Sequence, residues 1–114
     1  MKIPGYTLHG NYYLADKVVT NVNWEEACKM KKPVKLPNGE LVIAHTLSKE
    51  ILETIPEEER RINDNGRDWY WTSTPSGDSL ARFVNNNGGF YIGIITDSGA
   101  NGGASLGFKN PFKS

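Results

Sequence analysis

The residues best suited to nucleophilic or metal chemistry are one cysteine, Cys28, and two histidines, His9 and His45. Cysteine catalysis needs an imidazole beside the thiol and a carboxylate that orients the imidazole. Zinc needs four ligands, and these three residues have no recognised ligand spacing. Cys28 falls on the inner face of a predicted helix, where a free cysteine usually packs as a small hydrophobe. We therefore expect a protein with no catalytic residue that is not an enzyme.

Oxygen ligands for calcium are present but sparse. Calcium takes six to eight oxygens, several of them from carboxylates. The candidates are Asp78, Asn86, Asp97 and Asn101, and these residue types are also those that turns prefer. The segment 99–103 is rich in glycine, but no Lys-Ser or Lys-Thr pair and no helix start follow it, so no phosphate loop is predicted. We expect no metal and no cofactor.

An aromatic group, Trp69-Tyr70-Trp71, lies in a segment typical of a β-strand. Alternation along a strand places Trp69 and Trp71 on one face and Tyr70 on the other. The simplest interpretation buries the two tryptophans, Trp71 above all, and leaves Tyr70 more exposed. The alternative makes one of the three rings a stacking platform for a sugar or an anchor for a protein.

Composition narrows the range of partners. The 114 residues hold 13 basic and 13 acidic side chains, so the formal net charge is zero and nothing favours nucleic acid or an anionic membrane. No apolar run approaches the roughly 20 residues of a membrane span. The first ten residues lack the apolar core of a signal peptide. We expect synthesis in the cytoplasm without a signal peptide, and association with a virion is compatible with this.

The two halves of the chain differ in character. Residues 1–67 carry ten basic and ten acidic side chains, whereas residues 68–114 carry three of each and eight of the twelve glycines. A charged, helix-forming half therefore precedes a half of strands and Gly/Asn-rich loops. Since no linker separates them, we predict a single α+β domain over 1–114. Within it, 1–17 is an N-terminal strand region or arm and 110–114 is a tail.

Two helices are predicted in the first half. Asn23 and Glu26 have the spacing of a capping box, and Pro33 is expected to end the helix after Lys31 and Lys32. Ser48 caps a second helix over roughly 49–55. The predicted turns are 36–39 and 65–66.

The second half is predicted to be strands joined by loops. Strands are expected at 69–74, 80–85, 90–96 and 104–109. Asn87-Gly88-Gly89 forms a hairpin turn between the second and third of them. Residues 97–103 are expected to be a loop with almost no bulky side chain.

The order of these segments is similar to that of a known family. A helix begins Asn23-Trp24-Glu25-Glu26-Ala27-Cys28, a Leu-Pro-Asn-Gly turn and a second helix follow, and then come Tyr70-Trp71-Thr72-Ser73-Thr74 and a last strand Ser105-Leu106-Gly107-Phe108-Lys109. This pattern resembles the C-type-lectin-like domains of the bacterial and phage DUF1566 group (the Lcl carboxy-terminal domain). Residues 44–48 depart from that group's R-L-P-T motif, and the last strand lacks its arginines. The resemblance implies two short helices packed on small antiparallel sheets with long Gly/Asn-rich loops, in a domain used for adhesion, receptor binding or particle decoration.

We therefore expect a non-catalytic binding module that recognises a protein, or alternatively a glycan, through the loops of residues 75–103. Loops held on a rigid scaffold commonly carry recognition. The expected contact residues share adaptable polar side chains or an aromatic anchor: Asn85, Asn86, Asn87, Phe90, Tyr91, Asp97, Ser98 and Asn101. The alternatives are a structural or decoration component of a phage or particle, and an intracellular inhibitor of a host enzyme. Both would act through a protein interface, and a stable homo-oligomer would favour these two alternatives.

Overall fold

The computed structural model describes residues 2–61 and 68–112. Short strands and three short helices make up the regular structure of these ranges. The strands are β1 (Tyr6–His9), β2 (Tyr12–Ala15), β3 (Val19–Thr20), β4 (Lys31–Lys35), β5 (Leu41–Thr46), β6 (Trp69–Pro75), β7 (Leu80–Val84), β8 (Phe90–Ile94), β9 (Gly102–Ala104) and β10 (Leu106–Lys109). The helices are α1 (Trp24–Lys29), α2 (Lys49–Leu52) and α3 (Glu57–Arg60), and none of them is long and apolar enough to cross a membrane.

The strands form two five-stranded sheets, so the described chain is α+β as predicted. The first sheet has the order β1-β2-β10-β5-β4 and is antiparallel throughout. The second sheet has the order β3-β9-β6-β7-β8 and contains one parallel pair, β6 with β9. The N-terminal strands β1 and β2 belong to the first sheet, and Phe112 packs against the core.

The segment 102–108 connects the two sheets and is buried at every residue. Its first part is β9 in the second sheet, and its last part is β10 in the first sheet. The prediction of a loop through residue 103 and one strand over 104–109 was therefore wrong. The reason is that Gly102 and Gly103 allow close packing: a Cβ on Gly102 would lie 1.8 Å from Trp69 Cε2, and one on Gly103 would lie 2.1 Å from the Val19 carbonyl oxygen.

The predicted capping box of α1 is confirmed. The Glu26 N–H donates to Asn23 Oδ1 at 2.9 Å, and the Asn23 N–H donates to Glu26 Oε1 at 3.0 Å. The helix ends at Lys29, earlier than predicted, because the next residues pair with β5 as strand β4. Pro33 therefore does not end a helix; it lies opposite Ile43 in an edge strand, a position that tolerates its missing N–H.

The second predicted helix is present but shorter. Ser48 Oγ accepts a hydrogen bond from the Ile51 N–H at 3.2 Å, as a capping residue should. Helix α2 ends at Leu52, and Leu52 and Ile55 are buried whereas Ile51 is half-buried. The predicted turn at 36–39 is confirmed, with Gly39 at a φ of +91°. The predicted turn at 65–66 lies outside the described residues.

Strand β6 is buried on both faces. On one face Trp71 is 1% exposed and packs in a core with Tyr13, Ala104 and Phe108. On the other face Tyr70 packs in a second core with Leu52, Ile55 and Val84. The burial of Trp71 confirms one prediction.

The expectation that Tyr70 is more exposed was wrong, since it is 2% exposed. The segment of α2 and α3 covers this face, which strand alternation alone could not reveal. The Tyr70 hydroxyl donates to the carbonyl oxygen of Arg60 at 2.6 Å, so the buried phenol is satisfied. Burial raises the pKa of Tyr70 far above its usual value, and the phenol stays protonated in the folded protein at neutral pH.

The close approach of Gly102 to Trp69 generates a stability prediction. Gly102→Ala should destabilise the protein by roughly 1–3 kcal/mol, because the added methyl group overlaps the indole ring and overpacks the core. Gly99→Ala is the matched control, since a Cβ there would lie 4.0 Å from Trp69 Cζ2, an ordinary contact. Urea unfolding followed by tryptophan fluorescence measures both changes. Equal stabilities for the two variants would show that Gly102 has more room than the structure gives it.

Candidate functional site

An aromatic cleft of about 260 Å³ opens on the second sheet. We call it the β6–β8 cleft, and it is lined by Trp69, Trp71, Phe83, Asn85, Gly93 and Asp97. Trp69 and Trp71 come from β6, Phe83 from β7 and Gly93 from β8, so three neighbouring strands form one continuous apolar surface. Asn85 and Asp97 follow β7 and β8, which places them in the loops at the edge of that surface.

The three rings of the cleft stand at steep angles to one another. Trp69 meets Trp71 with ring centroids 5.3 Å apart at 89°, and it meets Phe83 at 5.3 Å and 60°. Trp71 meets Phe83 at 5.8 Å and 78°. These edge-to-face contacts are favourable for aromatic rings, so the walls of the cleft hold one another in place.

Glycine 93 opens the floor of the cleft. It lies opposite Ala81 in the pairing of β7 and β8. A Cβ on Gly93 would lie 3.1 Å from Phe83 Cε1 and 3.1 Å from Trp71 Cη2, closer than such contacts normally are. Any other residue at this position would therefore push against the rings and reduce the space between them.

Three polar groups at the cleft have no partner in the described part of the chain. Trp71 Nε1 donates to the Val22 carbonyl at 3.2 Å and Trp24 Nε1 donates to the Thr72 carbonyl at 2.9 Å. No such acceptor is found in the described residues for the indole N–H of the half-buried Trp69. The side chains of Asn85 and Asp97 likewise make no hydrogen bond or ion pair with those residues. The cleft thus combines an apolar floor with a few free polar groups, the arrangement typical of a ligand site.

The residues expected to form a binding surface do not all come together. Asn85 and Asp97 line the β6–β8 cleft. Tyr91 lies beside it, because its ring stacks on Phe83 with centroids 6.0 Å apart. Phe90, next to Tyr91 in β8, faces the opposite side of the sheet and packs in the second core, under the guanidinium of Arg60. Phe90 and Tyr91 therefore cannot share the centre of one surface.

The remaining expected residues lie outside the cleft lining. Asn87 builds the β7–β8 turn: its Oδ1 accepts from the Gly89 N–H at 2.8 Å, and its Nδ2 donates to the Tyr91 hydroxyl at 3.0 Å. Asn86 and Ser98 are exposed. Asn101 is half-buried, and its carbonyl accepts from the Trp69 N–H at 3.0 Å, so it holds β6 in place.

Four lining residues were not among the expected contacts: Trp69, Trp71, Phe83 and Gly93. The alternation of Trp69 and Trp71 was visible in the sequence, and the stacking-platform alternative came from it. The sequence alone did not identify Gly93 as a lining residue, because its proximity to Trp71 and Phe83 depends on the register of β7 and β8.

A second, larger cleft of about 360 Å³ lies between the β1–β2 hairpin and β3. Its polar lining includes Lys17 and Lys32, which are exposed, and Asp16, whose carboxylate accepts from the Thr7 hydroxyl. Its charged groups are exposed or already paired, and it lacks the group of packed aromatic rings that lines the β6–β8 cleft.

The cysteine and the histidines do not meet in a catalytic arrangement. His9 Nδ1 lies 3.3 Å from Glu59 Oε1, and His45 Nδ1 lies 3.1 Å from the Thr46 carbonyl oxygen. Cys28 is partly buried, whereas Glu25, Glu26 and Lys29 of the same helix are exposed. Within residues 2–61 and 68–112, no three His, Cys, Asp or Glu side chains lie close enough to hold a metal ion.

Comparison of the chain with family models, with curated proteins and with solved structures found no significant match. The geometry of the chain's own residues is therefore the basis for any statement about function.

The surroundings of Cys28 generate a reactivity prediction. Partial burial raises the pKa of the Cys28 thiol, and the ammonium of Lys31 opposes this only in part. The thiolate is the reactive form, so alkylation at neutral pH should be slower in the folded protein than in the unfolded chain. Iodoacetamide modification rates measured against pH, with and without urea, test this. An apparent pKa below that of the unfolded chain would indicate an activated thiol and would reopen the question of cysteine catalysis.

Proposed function

We infer that this chain is a non-catalytic binding module that recognises a protein or a glycan through the side of the domain carrying the loops of residues 75–103. The observation that carries the inference is the β6–β8 cleft, where aromatic walls meet the free polar groups of Asn85, Asp97 and Trp69. The aromatic rings hold one another in place, and groups that are already fixed lose little entropy when a ligand binds. The zero net charge argues against nucleic acid or an anionic membrane as the partner.

A lectin-like fold is part of this proposal. The resemblance to the C-type-lectin-like domains of the DUF1566 group is consistent with a short capped helix, a second short helix and two sheets in which the last strand pairs near the N-terminal strands. We propose the cleft as the centre of the recognition surface.

A glycan array screened with the wild-type protein, followed by calorimetry on each hit, tests the proposal. Asn85→Ala should weaken binding about fivefold, the loss of one hydrogen bond, because its amide lies at the cleft. Asn101→Ala is the matched control, since its side chain lies outside the cleft lining, and binding should stay within about 0.5 kcal/mol of wild type. Stronger weakening by Asn101→Ala than by Asn85→Ala would remove the cleft from the centre of the site.

A second candidate function, a structural or inhibitory role through a protein interface, is favoured by strand β8. This strand lies at one edge of the second sheet and bears no charged residue. Tyr91, Ile92 and Ile94 on it are 43%, 48% and 52% exposed. An uncharged apolar edge can pair with a strand of another chain.

Native mass spectrometry over a range of protein concentrations tests this second candidate. If β8 mediates self-association, Ile94→Lys should shift the protein to monomer, because a charge at the edge opposes strand pairing. Ile43→Lys is the matched control: Ile43 is 50% exposed, but it lies in β5, which has β4 and β10 on its two sides. A wild-type protein that stays monomeric at every concentration would argue against a homo-oligomeric interface at β8.

A further inference from the structure

The hairpin of β4 and β5 packs on the core with only one of its two faces. On that face Val34 is buried, and Val42 and Ala44 pack in the first core. Residues directly opposite each other in paired strands point to the same side, and so do alternate residues along a strand. The other side, which we call the β4–β5 face, therefore consists of three cross-strand pairs: Lys31 with His45, Pro33 with Ile43, and Lys35 with Leu41.

The middle of the β4–β5 face is an exposed apolar strip. Leu41 is 65% exposed, the highest value among the large hydrophobic side chains that the structure describes, and Ile43 is 50% exposed. Pro33, opposite Ile43, is exposed as well. Removing such side chains from water favours association with another apolar surface.

Unpaired lysines flank the strip. Lys31 and Lys35 are exposed, and neither forms an ion pair with a described residue. Their surroundings in the sequence are basic, since residues 27–46 hold four lysines and one acidic residue, Glu40. A partner that covered the face without carboxylates would take water from the ammonium groups and return nothing. The complementary surface is therefore both apolar and acidic.

The composition of the face favours a protein over a lipid surface. Its six residues include no Trp or Tyr, the residues that anchor proteins at membrane interfaces. Only two of them are lysines, whereas lipid-binding segments use clusters of roughly four to eight basic residues. An acidic segment of a partner protein matches both the strip and its charges.

The edge of β4 favours a helix across the face over a strand along the edge. Pro33 has no N–H to donate, and lysines on an edge oppose pairing. An amphipathic helix can instead bury its apolar stripe on the face of a sheet. The strand from Lys31 to Lys35 is about 13 Å long, the length of about nine helical residues. The described helices of this chain have six residues at most, so a second copy does not supply such a helix from its described residues.

We propose that the β4–β5 face docks an acidic amphipathic helix of a partner protein. Leucine-type side chains of that helix cover Leu41 and Ile43, and its carboxylates pair with Lys31 and Lys35. This surface belongs to the first sheet, so the inference stands apart from the proposed recognition through the β6–β8 cleft on the second sheet.

A helical peptide with a side-chain staple serves as the probe. It carries two glutamates about two turns apart and leucines in the turn between them, so that all of these residues lie on one face. Fluorescence anisotropy of the labelled peptide measures its affinity for the full chain. A matched peptide with glutamine in place of glutamate should bind about two- to fivefold weaker, because it loses the pairs with the lysines. Added salt should weaken the glutamate peptide more than the glutamine peptide, since salt screens exposed charges.

Variants of the chain locate the peptide. Lys35→Gln should weaken binding of the glutamate peptide about two- to fivefold, whereas Lys32→Gln should leave it unchanged. Lys32 is the matched control because it is exposed on the same strand but points to the opposite side.

The apolar strip has its own pair of variants. Leu41→Thr should weaken binding about fivefold or more, since it removes apolar contact area, and Ile94→Thr, at an equally exposed position on β8, should not. Melting temperatures show that each variant is folded.

Three results would overturn the proposal. The first is no saturable binding of the glutamate peptide up to concentrations on the order of 1 mM, the weakest affinity worth calling recognition. The second is tighter binding of an extended peptide of alternating glutamate and leucine, which would indicate a strand rather than a helix as the partner. The third is sedimentation of the chain with vesicles of phosphatidylcholine and phosphatidylserine that is lost in Leu41→Thr, which would assign the face to a membrane. None of these results bears on ligand binding by the β6–β8 cleft.

Discussion

The buried segment 102–108 is the constraint on which the rest of the structure depends. It carries the chain from the second sheet to the first, and every residue in it is buried. Glycine is needed where the backbone of this segment passes close to other elements. A Cβ on Gly107 would lie 2.6 Å from the Tyr13 carbonyl oxygen, and a Cβ on Gly102 would overlap the indole ring of Trp69. The same contact that admits the segment also fixes the indole of Trp69. Trp69, which lines the β6–β8 cleft, is thus held in position by the segment that joins the two sheets through the core.

Strand β6 packs against different neighbours on its two faces. Tyr70 points toward α2 and α3, and its hydroxyl is used by the Arg60 carbonyl. Trp69 and Trp71 point to the other side, where Trp71 is buried in the first core and the half-buried Trp69 lines the cleft with Gly93 of β8. The cleft therefore exists because helices fill one face while a glycine leaves room on the other.

Local signals in the sequence were sufficient for the parts of the fold that local chemistry controls. The capping box of Asn23 and Glu26, the Ser48 cap and the β7–β8 turn depend on neighbouring residues, and each was predicted. The errors involve long-range pairing: Pro33 was assigned to a helix end because its partner strand was not known. Gly102 was assigned to a loop because its contact with Trp69 is made across the sheet. For the site, Asn85 and Asp97 could be proposed as polar loop residues, but the separation of Phe90 from Tyr91 follows only from the orientation of β8.

The edge strands of the two sheets are β1, β4, β3 and β8, and β1 shares with β8 the lack of Asp, Glu, Lys, Arg and Pro. Edge strand β4 bears three lysines and Pro33, features that discourage pairing with another chain. Edge strand β3 is two residues long. Strand β8 has five residues and neither charge nor proline, and it also supplies Gly93 to the cleft. A partner strand laid along β8 would therefore lie beside Tyr91 and Gly93 and at the rim of the cleft. The proposed recognition by the cleft and the proposed protein contact at the edge are thus compatible, because a strand paired with β8 would lie next to the cleft.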